Sequence, residues 1–230
     1  MDLNFDPFFK EYEALRNVVD ATFKKVQEQY GECVRCEIGC ADCCHALFDL
    51  TFIEALYIHH KYIQHLDEQQ QAKLNEKANL ADRQTYKIKR DAYKRMEAGE
   101  DHEMILNQVA EERVRCPLLN ESDRCDLYEF RPITCRLYGI PTAIGGKAHT
   151  CGLSGFAPGE PYPTVNMDKL HDKLYDISRR LVESIPTRHT QMADILVPLS
   201  MAMLSSYNEE YLGIKTDAPE SPDDKEKKDG

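Results

Sequence analysis

The sequence predicts a mainly α-helical single domain folded around a loop-rich, cysteine-ligated metal centre. Three observations point there. Apolar residues recur at steps of three and four through several long segments. No apolar–polar alternation of period two lasts long enough to require a sheet. The stretch Cys36-Glu37-Ile38-Gly39-Cys40-Ala41-Asp42-Cys43-Cys44 puts four thiols into nine residues, with Cys33 just before it and Cys116, Cys125, Cys135 and Cys151 downstream.

The first helix is expected after Asp6 as cap and Pro7 as first helical residue, ending at Gly31. Phe8, Tyr12, Leu15, Val19, Phe23, Val26 and Tyr30 fall on one face of it. Thr51 with Glu54 forms a capping box, in which hydroxyl and carboxylate each satisfy an orphan backbone N–H. The helix it opens, from about Phe52 to His65, is apolar on more than one side and is expected to be buried. Asp67 with Gln70 repeats the pattern and opens a long polar helix reaching about Met96, with Gly99 as its stop. Its sparse apolar positions (Leu74, Leu80, Tyr86, Ile88, Tyr93) predict an outer arm packed on one side.

A short helix from about Asp101 to Glu112 leads into Cys116, where Pro117 keeps the chain from continuing helically. Asn120 to Asp123 reads as a turn, Cys125 to Tyr128 as a short extended piece, and Arg131-Pro132 as the start of a helical turn carrying Cys135 and Arg136. The glycine-rich run from Tyr138 to Gly159 reads as a loop tethered by Cys151. Asn166 caps a helix whose Met167, Leu170, Leu174, Ile177 and Leu181 share a face. A last helix is expected from near Pro198 to about Tyr211, ended by Gly213. These elements make residues 1–215 one domain; the Asp/Glu/Lys/Pro/Ser composition of 216–230 predicts a disordered charged tail.

A hydrophobic fraction of 42% supports a true core, and a net charge of -11 opposes general binding to nucleic acid or to an anionic membrane. The basic run Lys87 to Lys94 reads as the solvated face of a helix. No run of 18 apolar residues occurs, and the N-terminus lacks a basic segment followed by an apolar one. The expected location is the cytoplasm, where clustered cysteines are metal ligands or redox groups rather than disulfides.

Thiolates this close repel one another unless a cation neutralises them, and soft sulfur donors select zinc or iron–sulfur clusters. Cys36-x3-Cys40-x2-Cys43 has the character of a three-plus-one cluster motif, with Cys116 or Cys135 able to supply the fourth thiolate. The same spacing also suits one face of a helix, where cysteine is a good small buried residue. Nine cysteines make that inert reading a poor account of the whole set, though a fair one for Cys33. The remaining eight, Cys36, Cys40, Cys43, Cys44, Cys116, Cys125, Cys135 and Cys151, are the candidate metal ligands.

With both sets laid out, the chain resembles a family named for its CxxCxxCC motif and described as zinc- or iron-chelating. The resemblance rests on Cys36-x3-Cys40-x2-Cys43-Cys44, Cys116-Pro117-Leu118-Leu119, Cys125-x-Leu127-Tyr128-x-x-Arg131-Pro132-x-x-Cys135-Arg136, Leu137-Tyr138-Gly139 and Cys151. It covers about residues 36–151. Three residues, not two, separate the first two cysteines. The family pattern has eight cysteines, which places Cys33 outside it. Some members resemble flagellin lysine N-methylases, which implies an iron–sulfur ([4Fe–4S]) centre, S-adenosylmethionine and a protein substrate. No strand, Gly-rich turn and helix occur in the order a nucleotide-binding fold needs. The three-cysteine spacing also resembles that of radical S-adenosylmethionine enzymes, whose alternating strands and helices have no counterpart in these helical flanks.

Among other polar residues, Arg131 and Arg136 near Cys135 are candidates for offsetting thiolate charge or holding an anionic substrate; Arg131 reads equally as a surface partner of Glu129 or Asp126, and Arg136, adjoining Cys135, is favoured as the cofactor-binding residue. His45 and His149 lie near cysteines but read better as packed or solvent-facing residues, and Glu54 as a helix cap. Three functional classes remain open: a metal-binding module carrying [4Fe–4S] or zinc, a protein lysine methylase using S-adenosylmethionine, and a redox- or metal-responsive regulator. Catalytic residues and enzymatic status are left open at this level.

Overall fold

Asn4 accepts the backbone N–H of Asp6 at 3.0 Å, and from there the chain turns into helix in the computed structural model, which describes residues 3–37 and 39–215. Helix α1 (Asp6–Gln29) starts one residue earlier than the sequence suggests, with Phe5 as its cap and Pro7 inside the first turn. Its core face is Phe9, Tyr12, Leu15, Val19 and Val26; Phe9 takes the buried place that the spacing assigns to Phe8. The predicted tail, 216–230, lies outside the described residues.

Helix α2 (Phe52–His65) has the bounds its sequence signals indicate and is the centre of the packing. Seven consecutive residues, Phe52 to Ile58, are buried, as is Tyr62. A helix apolar all round must be covered on all sides. Helices α1, α6 (Met167–Glu183) and α7 (Leu199–Leu204) supply that cover. Asn166 caps α6 by accepting the N–H of Lys169 at 3.0 Å.

The long arm, α3 (Glu68–Glu97), is opened by the Asp67–Gln70 box and followed by Gly99 at φ +83°. It packs on α7 and on α4 (His102–Glu111), and its buried positions are Leu74, Ala78, Ala81 and Thr85. Leu80, Tyr86 and Tyr93, apolar in the sequence, face outward. Small residues at steps of four and three let the helices approach closely, and that outweighs the count of large apolar side chains. No helix among the described residues is long and apolar enough to cross a membrane.

Two expectations need correction. The last helix ends at Leu204, not Tyr211. Ser205 is extended, Tyr207 takes a left-handed φ of +43°, and Asn208 accepts the N–H of Tyr211, so the chain runs on as turns. The glycine-rich segment after Tyr138 is not all loop. Strands β2 (Thr142–Ile144) and β3 (Lys147–His149) form a hairpin, and β4 (Val165–Asn166) pairs parallel to β2. Gly145 and Gly146, at φ +55° and +76°, make the two-residue left-handed turn that the twist of a hairpin favours. A second small pairing joins β1 (Asp49–Leu50) to β5 (Val197–Pro198).

The buried side chains form two cores. The larger surrounds α2 and includes α1 and α6 residues. The smaller gathers Tyr62, Leu74, Ala78, Leu118, Leu127 and Met203, with Cys116 and Cys125 packed against it.

Candidate metal centre

The cysteine-rich run is a sequence of turns, not a helix face. After α1, the N–H groups of Cys33 and Val34 both reach the carbonyl of Tyr30, and Gly39 turns the chain at φ +94° with Cys40 N–H on the carbonyl of Glu37. Asp42–His45 is one 3-10 turn carrying Cys43 and Cys44, whose sulfurs are 4.0 Å apart. Cys36 is exposed as a residue, but its sulfur lies against Gly139, where an added Cβ would sit 2.1 Å from it. Only glycine at 139 leaves room for that thiol.

The second set is brought in by backbone pairing. Val114 N–H donates to the carbonyl of His45 at 3.0 Å and Cys116 N–H to that of Cys44 at 2.7 Å. Leu119 bridges to Cys125, and Asp126 N–H donates to Leu118, closing a tight turn held by the side chain of Asn120. The expected extended piece is thus a bridge at Cys125 followed by a 3-10 turn, Tyr128–Phe130.

Cys135 rides on helix α5 (Ile133–Leu137). The first turn of α5 is fixed by Glu54, whose Oε1 accepts the N–H of Ile133 at 3.1 Å while Oε2 accepts the N–H and hydroxyl of Thr51. Burial raises the Glu54 carboxyl, and these three bonds oppose the rise. Cys151 enters from the chain beyond the hairpin: its sulfur accepts the N–H of Leu153 at 3.4 Å and donates to Asp42 at 3.5 Å.

The eight candidate cysteines line one cavity of about 720 Å³. Cys33 is not part of its wall; it packs against the larger core, and its carbonyl accepts the N–H of Gly155 at 2.8 Å. The wall also includes Phe23, Leu47, Phe48, Tyr138, Ala81, Thr85, Leu199 and Ser200. Among the described residues, no three His, Cys, Asp or Glu side chains meet closely enough to hold a single ion as they stand.

The thiols press on one another. Burial, then Cys40, Cys151 and Cys43, push Cys36 up to about 11. Burial, then Cys125, pushes Cys116 up to about 12, and burial pushes Cys125 up to about 11. Burial raises Cys135 well above the usual thiol range, with Cys43, Cys116 and Cys125 adding to it. The Cys43 thiol is raised first by its contact with Cys44 and then by burial. Without a cation these groups hold their protons; a metal takes the place of the protons, so the donor set fits a thiophilic metal.

The cation that counters this build-up is Arg131, which lowers Cys36, Cys43, Cys125 and Cys135. Its guanidinium lies 3.9 Å from the centre of the Tyr128 ring, and its buried Nε finds no hydrogen-bond partner among the described residues. Arg136, the residue favoured from sequence, also lines the cavity, but its guanidinium is engaged by Asp20 and by the carbonyls of Arg131 and Glu129. It braces the turn that carries Cys135. His45 turns Nδ1 to the carbonyl of Ala41, and His149 is exposed on β3; neither joins the cavity wall. Sequence reasoning missed Asp42, which pairs with Arg113 and contacts Cys151, and Gly139. The adjacency of Asp42 to Cys43 was the available signal for the first.

No curated protein and no solved structure matches this chain. A family model does match, over residues 32–152, which is more than half of the 230 residues and spans every cysteine on the cavity wall. The chain therefore belongs to the CxxCxxCC family, described as a "Putative zinc- or iron-chelating domain".

Proposed function

We propose that this protein holds an iron–sulfur centre of the [4Fe–4S] type on thiolates drawn from the eight cavity cysteines, and that the centre is needed for the loop-rich region to reach its final order. The observation that carries this reading is the convergence of Cys36, Cys40, Cys43, Cys44, Cys116, Cys125, Cys135 and Cys151 on one cavity of about 720 Å³. A tetrahedral zinc with bonds of about 2.3 Å draws its sulfurs to within roughly 3.8 Å of one another. The Cys43–Cys44 pair has such a spacing, but the cavity is far larger than one ion requires. A cage of several metal and sulfide atoms fills that space better.

Protein purified without oxygen is expected to be brown, with iron and acid-labile sulfide in equal amounts. Colourless protein containing zinc in place of iron overturns the cluster reading. A second reading, a protein lysine methylase using S-adenosylmethionine, draws on cavity-wall residues other than the thiols, among them Ala81, Thr85, Leu199 and Ser200. Calorimetric titration of the metal-loaded protein with S-adenosylmethionine tests it; absence of binding removes that reading and leaves the metal centre standing.

A further inference from the structure

The cysteine-rich run is held at its two ends by different parts of the chain. On its N-terminal side Gly155 N–H donates to Cys33 and Gly139, just before the hairpin, makes room for Cys36, while Cys151, beyond the hairpin, reaches the run at Asp42. Its second half lies against the segment before Cys125: Cys116 N–H donates to Cys44, Val114 N–H to His45, and Ala46 bridges to Arg113. The thiols therefore face two neighbourhoods, and sequence order does not define them. Cys151, last in the chain, sits with Cys36 and Cys40. Cys116, Cys125 and Cys135 sit together against the smaller core and α5.

We propose that the eight thiols form two separate four-ligand metal sites, one built on Cys36, Cys40 and Cys151 and the other on Cys116, Cys125 and Cys135, with the adjacent pair Cys43–Cys44 supplying the fourth thiolate to each. This rests on the metal-binding reading above and specifies which ligands share a centre. The mutual repulsions divide in the same way. Cys36 feels Cys40 and Cys151, Cys135 feels Cys116 and Cys125, and Cys43, which Cys36, Cys116, Cys125 and Cys135 all feel, sits between the two groups. The adjacent sulfurs at 4.0 Å then belong to two centres side by side, not to one.

The test uses the full chain, reconstituted without oxygen with ferrous iron and sulfide, and in parallel with zinc alone. Cys151→Ser and Cys125→Ser each remove one ligand from a different site. Each is expected to lose about half of the bound metal and keep the rest, and the double variant to lose nearly all of it. Cys33→Ser is expected to keep the full amount. Cys40→Ser and Cys116→Ser repeat the comparison on a second ligand of each site, and far-ultraviolet circular dichroism checks that each variant is folded.

A wild-type chain that takes up neither iron nor zinc overturns the underlying metal-binding reading. A wild-type chain that loads, while folded Cys151→Ser and Cys125→Ser both lose all their metal, overturns the division into two sites and leaves metal binding intact. Retention of the full amount by either folded variant also overturns the division.

Discussion

The two sides of the cavity are built differently. On one side, Cys116 and Cys125 rest on an apolar cluster that includes Tyr62, Leu118 and Leu127, and Cys135 is carried by a helix fixed by Glu54 and by the Arg136–Asp20 pair. On the other, Cys36 is an exposed residue, no regular element runs between Val34 and Cys40 among the described residues, and Cys151 is held by one N–H and one carboxylate. The first side is a product of the core. The second has little apolar burial to order it, and a metal is the group that would supply the missing free energy.

Four measurements put this contrast at risk. The largest effect is expected from pH on the metal-free chain. Cys116 and Cys125 are pushed up to about 12 and 11 from an ordinary 9.0, so their contribution is complete below about pH 9 and is lost as pH rises through 11 to 12. Each pH unit that separates the raised thiol from the ordinary one is worth about 1.4 kcal/mol. Alkaline urea titrations should therefore show the metal-free fold losing several kcal/mol over that window. Metal-loaded protein should instead lose its added stability on the acid side, where protons compete for the thiolates. A metal-free chain equally stable at pH 8 and 11 would show that the braced side is not closed around its thiols.

Next, Leu118→Ala, at a position 2% exposed, should cost about 3 kcal/mol by leaving a cavity. Leu153→Ala, beside Cys151 and 55% exposed, should change stability by no more than about 0.5 kcal/mol. Equal costs in chemical denaturation would erase the difference between the two sides. Glu54→Gln keeps one carbonyl but cannot accept all three bonds, and is expected to cost about 1.5 kcal/mol and to lower amide protection in α5. Unchanged exchange in α5 would mean that its brace lies elsewhere.

The smallest expected change in stability is at Gly139→Ala. Its backbone suits any residue, but the new methyl takes the place of the Cys36 sulfur. Metal content should fall while the denaturation midpoint of the metal-free chain stays put. Full metal content would show that Cys36 can bind from another position.

What the sequence revealed follows the range of the forces involved. Helices α2, α3 and α6 were legible almost to the residue because caps such as Thr51–Glu54, Asp67–Gln70 and Asn166 act within three residues. The nine cysteines stand out by their density, but only the eight-cysteine pattern of the resembled family set Cys33 apart from the eight that line the cavity. Their grouping could not be read from the sequence, because it depends on pairings such as Cys116 with Cys44, 72 positions apart in numbering (116 minus 44). Arg136 adjoins Cys135 in sequence and Arg131 lies four residues before it, which favours Arg136. Only the fold shows that Asp20 claims Arg136, leaving Arg131 to face the thiols. The hairpin was missed although Gly145-Gly146 between short β-capable segments is its usual sign; the surrounding glycines masked the pattern.

Glu54 also carries a consequence for the order of assembly. A five-residue helix is too short to persist alone in water, and α5 gains its first-turn acceptor from a carboxylate 79 positions away in the chain. Its formation must therefore wait for the intervening loop to close, a step with an entropic cost that local helices such as α2 do not bear. During synthesis, α2 would emerge and begin to form while Cys135 was still without a platform. The Cys135 thiol thus takes its place on the cavity wall only after that loop has closed, later than the local helices around it form.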